Sequence, residues 1–178
     1  MIVTTNIKQT TISKKISLNG VGLHTGKDVT LTFVPSTADI GYVFKRIDLE
    51  NSPTIQADIK YVSSTDRGTC LNKNGLIIQT CEHVLAALVG SEIDNVIIEL
   101  NQSEPPIMDG SAKFFVDALK KAGVKQLDAK RREFIVKRVI SFKDENTGSE
   151  IMVLPAKNYK VTTMVDFGTK ILGTQNAT

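Results

Sequence analysis

From Thr10 to Leu18 the chain alternates apolar and polar residues, and Val29-Thr30-Leu31-Thr32-Phe33-Val34 alternates again until Pro35 stops it. A period of two marks a strand with one buried face, so the pattern predicts two strands joined around Gly20 to Gly26. Tyr42 to Arg46 reads as a third strand, Gly75 to Ile78 as a fourth, and the β-branched run Asn95 to Leu100 as a fifth. Between the last two the period lengthens. Val84, Leu85, Leu88 and Val89 recur at helical spacing, with Thr80 as the expected N-cap and Gly90 as the expected stop. A second helix is predicted from Ser111 to Gly123, because Phe114, Phe115, Ala118, Leu119 and Ala122 form one stripe. Strands before and around two helices predict an α+β fold: a two-layer sandwich with helices on a mixed, largely antiparallel sheet.

The pattern then lapses. Lys125 to Arg132 is polar and unpatterned and reads as a linker, after which Phe134 to Val136, Val139 to Phe142, Glu150 to Leu154 and Tyr159 to Val165 read as strands. The expected organisation is a first α+β domain over residues 1–128, complete in itself. Residues 129–178 are then linker and the start of a second, similar domain, with its strands beginning near Arg132. No helical pattern covers those strands, so the second domain is expected to be incomplete, the natural protein longer, and the exposed face prone to self-association.

Composition changes this picture little. With 178 residues and 41% hydrophobic content, the chain can bury one good core or two small ones. Net charge is +3, and the cationic residues are scattered apart from Lys130-Arg131-Arg132. Aromatic content is only 6%, with no aromatic and basic residues interleaved on one strand, which argues against a nucleic-acid partner. Cys70 and Cys81 make no disulfide framework, and there is neither a signal peptide nor an apolar run of about 18 residues. A cytoplasmic protein without a transmembrane segment is expected.

The candidate chemistry lies at the head of the first helix, where an acid, Glu82, precedes an imidazole, His83. Glu82 sits where the helix dipole favours negative charge, and the apolar face behind it holds the helix start in place. A carboxylate beside an imidazole suits metal-assisted hydrolysis. The zinc-protease pattern of two histidines four apart is absent, since position 79 is Gln and position 87 is Ala. This helix alone supplies one good ligand, and zinc wants three or four. The glycine-rich stretch Asn19 to Lys27 fits neither a Walker loop, which would need glycine at Val21 and Ser or Thr at Asp28, nor the dinucleotide pattern, which misses its third glycine at Thr25. It reads as a turn between strands. His24, within it, is the only other histidine.

Three segments in order, Gly20-Val-Gly-Leu-His-Thr-Gly-Lys-Asp-Val-Thr-Leu31, Thr80-Cys-Glu-His-Val-Leu-Ala-Ala-Leu88 followed by Ile93-Asp-Asn-Val-Ile-Ile-Glu99, and Pro106-Ile-Met-Asp-Gly-Ser-Ala112, resemble the UDP-3-O-acyl-N-acetylglucosamine deacetylase family of lipid A biosynthesis. The resemblance runs from about Thr10 to the end of the chain. It implies two similar α+β layers with a zinc site at their seam, and an amide hydrolase acting on an acylated UDP-N-acetylglucosamine. Glu82 matches the family's catalytic glutamate and His83 its first zinc-binding histidine. Asp109 matches a motif near the active site and is expected to support it from behind the residues that touch metal or substrate. Asp166 and Phe167 resemble the acidic-aromatic pair at the uridine end of the substrate.

The same resemblance implies that the remaining zinc ligands lie beyond Thr178, so that this chain by itself is expected to be inactive. Arg67 and Gly68 stand where some members carry apolar residues and a cysteine. The tail from Asp166 to Asn176 resembles the form fused to a hydroxyacyl-carrier-protein dehydratase. A non-catalytic nucleotide-sugar binding or assembly module remains the alternative.

Overall fold

The computed structural model describes residues 1–178. In chain order the elements are β1 (Ile2–Ile12), β2 (Ile16–Val21), β3 (Asp28–Pro35), β4 (Tyr42–Arg46), β5 (Thr54–Gln56), β6 (Val62–Ser64), β7 (Cys70–Lys73), β8 (Leu76–Ile78), α1 (Glu82–Gly90), β9 (Val96–Leu100), α2 (Lys113–Ala122), β10 (Val124–Phe134), β11 (Ile140–Lys143), β12 (Glu150–Val153), β13 (Thr163–Asp166) and β14 (Thr174–Ala177). They fall into two compact units, Thr5–Arg131 and Met1–Thr4 with Arg132–Thr178.

The larger unit is α+β. Its main sheet runs β2-β3-β9-β4-β5, and β6-β7-β8 make a second, smaller sheet. Strand β9 pairs antiparallel with β3 and parallel with β4, so the main sheet is mixed. The register shows why these sequences alternate. Ile16, Phe33, Ile98, Phe44 and Ile55 stand opposite one another across the five strands, and the last four are fully buried. One residue along, Ser17, Thr32, Glu99, Lys45 and Thr54 form a polar row. Directly opposed residues share a face, so one face is apolar and the other is hydrogen-bonded or charged. Ser17 Oγ lies 2.9 Å from Thr32 Oγ1, and Glu99 takes Lys15 and Lys45, each at 3.1 Å.

The apolar face packs into one core with Val84, Ala87 and Leu88 of α1 and Phe115, Leu119 and Ala122 of α2. Burying an aromatic ring of this kind contributes roughly 1.5–3 kcal/mol, and its removal leaves a cavity as well. Phe33→Ala, at the centre of the buried row, is expected to destabilise the protein by about 3–5 kcal/mol in urea titrations.

Local details depart from the sequence pattern where side chains compete with the backbone. The run from Thr10 to Leu18 is split: β1 ends at Ile12 and β2 begins at Ile16. The stretch read as a linker, Lys125 to Arg132, lies inside β10, which pairs with β1. Its partners are polar, as with the Thr5 hydroxyl on the Arg131 carbonyl at 3.2 Å, so no apolar alternation betrays it. Short β5, β6 and β7 carry too few residues to show a period. Thr80 does not cap α1. The N-cap is Cys81, with no side-chain cap, and the helix runs through Gly90 to close on Ser91. Val89 is half exposed rather than buried. In α2 the N-cap is Ala112, while Ser111 Oγ accepts the Lys113 N–H at 3.1 Å, and Gly123 ends the helix at φ +71° as its position suggests. Phe114 faces outward and Phe115 inward.

The smaller unit contains two antiparallel hairpins, β11 with β12 and β13 with β14. Their apolar residues, among them Phe142, Ile151, Met164 and Val165, are exposed. No helix of the protein is long and apolar enough to cross a membrane.

Candidate functional site at the head of helix α1

The chain reaches α1 through a constrained turn. The Gln79 N–H donates to the Ser103 carbonyl at 2.8 Å, and Thr80 then takes φ +49°, a left-handed conformation unfavourable for a β-branched residue. The Thr80 hydroxyl offsets part of that cost by donating to Glu104 Oε1 at 2.8 Å. The Cys81 N–H and Sγ both go to the Thr69 carbonyl. Burial first, and then the charge of Glu82, push the Cys81 thiol up to about 12, so it stays protonated at neutral pH.

Glu82 opens the helix facing the same β6–β7 turn. Its Oε2 accepts the Thr69 N–H at 2.9 Å, and its Oε1 lies 3.9 Å from His83 Nε2. Both side chains are about a third exposed, at 38% and 30%, which leaves them open to water and substrate. Gly68 makes the close approach possible. At φ +155°, a Cβ there would lie 3.3 Å from Glu82 Oε1. The neighbouring Arg67 carbonyl lies 3.3 Å from His24 Nε2. A single turn, Arg67 to Thr69, thus joins His24 on one side to Glu82 and His83 on the other.

Sequence reasoning missed Glu104. Nothing in the periodicity marks it; the only signal is an acid placed before the extended pair Pro105-Pro106 between a strand and a helix. It is fully buried and accepts from the Thr25 N–H at 2.9 Å, the His24 N–H at 3.1 and 3.2 Å, and the Thr80 hydroxyl. Burial by itself would raise its pKa, but the hydrogen bonds outweigh burial and hold the carboxyl below its ordinary 4.5. A carboxylate depressed in the folded state stabilises the fold above the unfolded pKa and loses that contribution as pH falls through the folded one. Urea midpoints are therefore expected to drop below about pH 4.5, and Glu104→Gln is expected to flatten part of that drop.

The other predicted residues lie apart from this pair. Asp109 is exposed and accepts from the Ser111 hydroxyl at 2.7 Å and N–H at 3.0 Å, bonds that hold its carboxyl below the usual range. Its hydrogen bonds go to this turn rather than to Glu82 or His83. The turn is tied to β2 by the Ile107 N–H on the Val21 carbonyl at 2.9 Å. Asp166 and Phe167 lie in the smaller unit, where Asp166 Oδ1 accepts the Gly168 N–H at 2.8 Å and the Phe167 ring is half exposed. Cys70 and Cys81 are free thiols.

As a zinc site the residues present are incomplete. His83 offers an imidazole beside a carboxylate, but no group of three or more His, Cys, Asp or Glu side chains converges anywhere in the structure.

Residues 9–178 match the family described as LpxC, UDP-3-O-acyl N-acetylglycosamine deacetylase. The chain belongs to that family. The matched span of this deacetylase family includes His24, Glu82, His83, Glu104, Asp109, Asp166 and Phe167. Among similar proteins, a bifunctional enzyme LpxC/FabZ of Bacteroides thetaiotaomicron is 44% identical over 172 residues, covering 97% of this chain and 37% of the relative. A second bifunctional LpxC/FabZ, of Chlorobaculum tepidum, is 40% identical over 96% of the chain and 37% of the relative. The UDP-3-O-acyl-N-acetylglucosamine deacetylase of Geotalea uraniireducens is 38% identical over 94% of the chain and 54% of the relative. The chain thus spans 37–54% of the length of these LpxC relatives.

Proposed function

We propose that this chain is the Glu-His-bearing part of a zinc-dependent amide hydrolase that removes the N-acetyl group from UDP-3-O-acyl-N-acetylglucosamine in lipid A biosynthesis. The observation that carries this reading is the head of α1, where a carboxylate fixed by the Thr69 N–H stands beside a solvent-accessible imidazole. Family membership and the names of the relatives support the substrate class. In this reading Glu82 takes the proton of the attacking water, and its geometry suits the role because only one carboxylate oxygen is engaged by Thr69. His83 holds the metal together with ligands from polypeptide that the relatives carry beyond the span matched here. Zinc, when bound, lowers the pKa of water and polarises a carbonyl. Asp109 supports the site from the turn before α2. Asp166 and Phe167 meet the uridine end, where an exposed ring can stack on a base. The protein works in the cytoplasm, in keeping with its two free thiols.

The test is acetate release from the acylated nucleotide sugar by the longer protein containing this chain. Release that a chelator abolishes and added zinc restores is expected. Binding of the nucleotide sugar with no acetate release would instead support a non-catalytic binding module.

The exposed apolar strands of the smaller unit require cover under the same proposal, from further polypeptide or from another copy. The isolated chain is expected to self-associate with rising concentration in sedimentation. A compact monomer with Ile135, Val153 and Val161 protected from exchange with solvent would overturn this.

A further inference from the structure

Glu104 is built into the fold in a way that core packing does not require. A buried anion loses its hydration, a cost that an apolar side chain of similar volume avoids. This one is compensated by donors from two separate segments, the His24 and Thr25 amides of the β2–β3 turn and the Thr80 hydroxyl ahead of α1. The turn is shaped around it. A Cβ on Gly22 would lie 2.6 Å from Glu104 Oε2 and would strike Thr25 Oγ1, so only glycine lets the backbone close on the carboxylate. On the other side, α1 has no side-chain N-cap, and Thr80 is held at a positive φ just ahead of Glu82. The direction in which the chain enters α1 therefore depends on the two ties made outside the helix, Gln79 to Ser103 and Thr80 to Glu104.

We propose that Glu104 is a positioning residue, whose buried carboxylate joins the His24–Thr25 turn to Thr80 and so sets where Glu82 and His83 stand relative to His24. It touches none of the reacting atoms and acts through Thr80 and the turn. The importance of that placement rests on reading Glu82 and His83 as the reacting pair. The tie itself is a property of this chain and can be tested without turnover.

The test is amide exchange and NMR on the 178-residue chain. Three reporters are used: the His24 and Thr25 amides for the turn, the Thr69 amide, which donates to Glu82, for the placement of Glu82, and the β9 amides for the sheet at large. In Glu104→Gln, an uncharged side chain of the same shape, exchange at His24, Thr25 and Thr69 is expected to rise at least tenfold while β9 stays protected. The Thr25 amide proton is expected to lose the downfield shift that a carboxylate acceptor confers. Unchanged exchange at Thr25 and Thr69, or loss of protection in step with β9, would overturn the proposal, the second outcome showing a residue that only stabilises the core. Should Glu104→Gln not fold, Thr80→Val removes one arm of the tie at nearly constant volume. Faster exchange at Thr69 with Thr25 unchanged supports the proposal, and an unmoved Thr69 overturns it. None of these readouts depends on catalysis. Loss of the tie and loss of the deacetylase reading are therefore separate results, the latter decided by acetate release.

Discussion

Replacing Glu82 by Gln is expected to lower acetate release by the longer protein about 10²–10⁴-fold per folded molecule, the range associated with loss of a positioned general base. Gln is the informative substitution because its carbonyl oxygen can still accept the Thr69 N–H that Glu82 Oε2 accepts at 2.9 Å. The turn from Arg67 to Thr69 then keeps its anchor, and Gly68 keeps the clearance that lets it pass the side chain. What is lost is the basic oxygen alone. The side chain is 38% exposed and lies outside the apolar core, so the urea midpoint should barely move. Bound metal in the longer protein should be retained, since His83 is untouched. The decisive comparison is turnover against folded, metal-loaded protein. Wild-type turnover in Glu82→Gln would remove Glu82 from the chemistry and leave the helix head as an ordinary dipole partner.

The parts of the fold legible in the sequence are those where one residue pattern answers to one face. Val29 to Val34 and Asn95 to Leu100 alternate because Phe33 and Ile98 are opposed on the buried side while Thr32 and Glu99 are opposed on the other. The α1 and α2 stripes are legible for the same reason, with Val89 and Phe114 as the exceptions that an exposed flank permits. Where polar contacts decide the geometry, the pattern is silent. Strand β10 is held through Thr5, Lys8 and Gln9, whose partners are Arg131, Asp128 and Lys130, and a polar strand on a polar strand reads as a linker. Thr80 fails as a cap because its hydroxyl is taken by a carboxylate 24 residues away, a partner that no local rule can name. The same limit applies to the site. Glu82 and His83 are adjacent in sequence and visible as a pair. Their links to His24 and Glu104 depend on the fold bringing together residues 24, 67, 82 and 104.

The 178-residue chain by itself is expected to bind zinc weakly, and the reason lies in what each nearby donor is already doing. A closed zinc site in a small domain is worth about 10–16 kcal/mol, from three or four deprotonated ligands held at once. His83 supplies one. Glu82 has one oxygen committed to Thr69, and His24 faces the Arg67 carbonyl. Cys81, buried and with its thiol pushed up to about 12, would have to lose a proton where burial disfavours the charge and give up its contact with the Thr69 carbonyl. Recruiting these groups would dismantle the turn that positions Glu82, so the chain gains little from a second or third ligand. Dialysis against micromolar zinc should leave the chain nearly metal-free, and His83→Ala should change that residual binding only slightly. In the longer protein the same substitution should strip the metal and abolish acetate release. A tight one-to-one complex on the chain alone, lost in His83→Ala, would mean that the donors around α1 rearrange into a complete site, and with it the assignment of the remaining ligands to other polypeptide would fall.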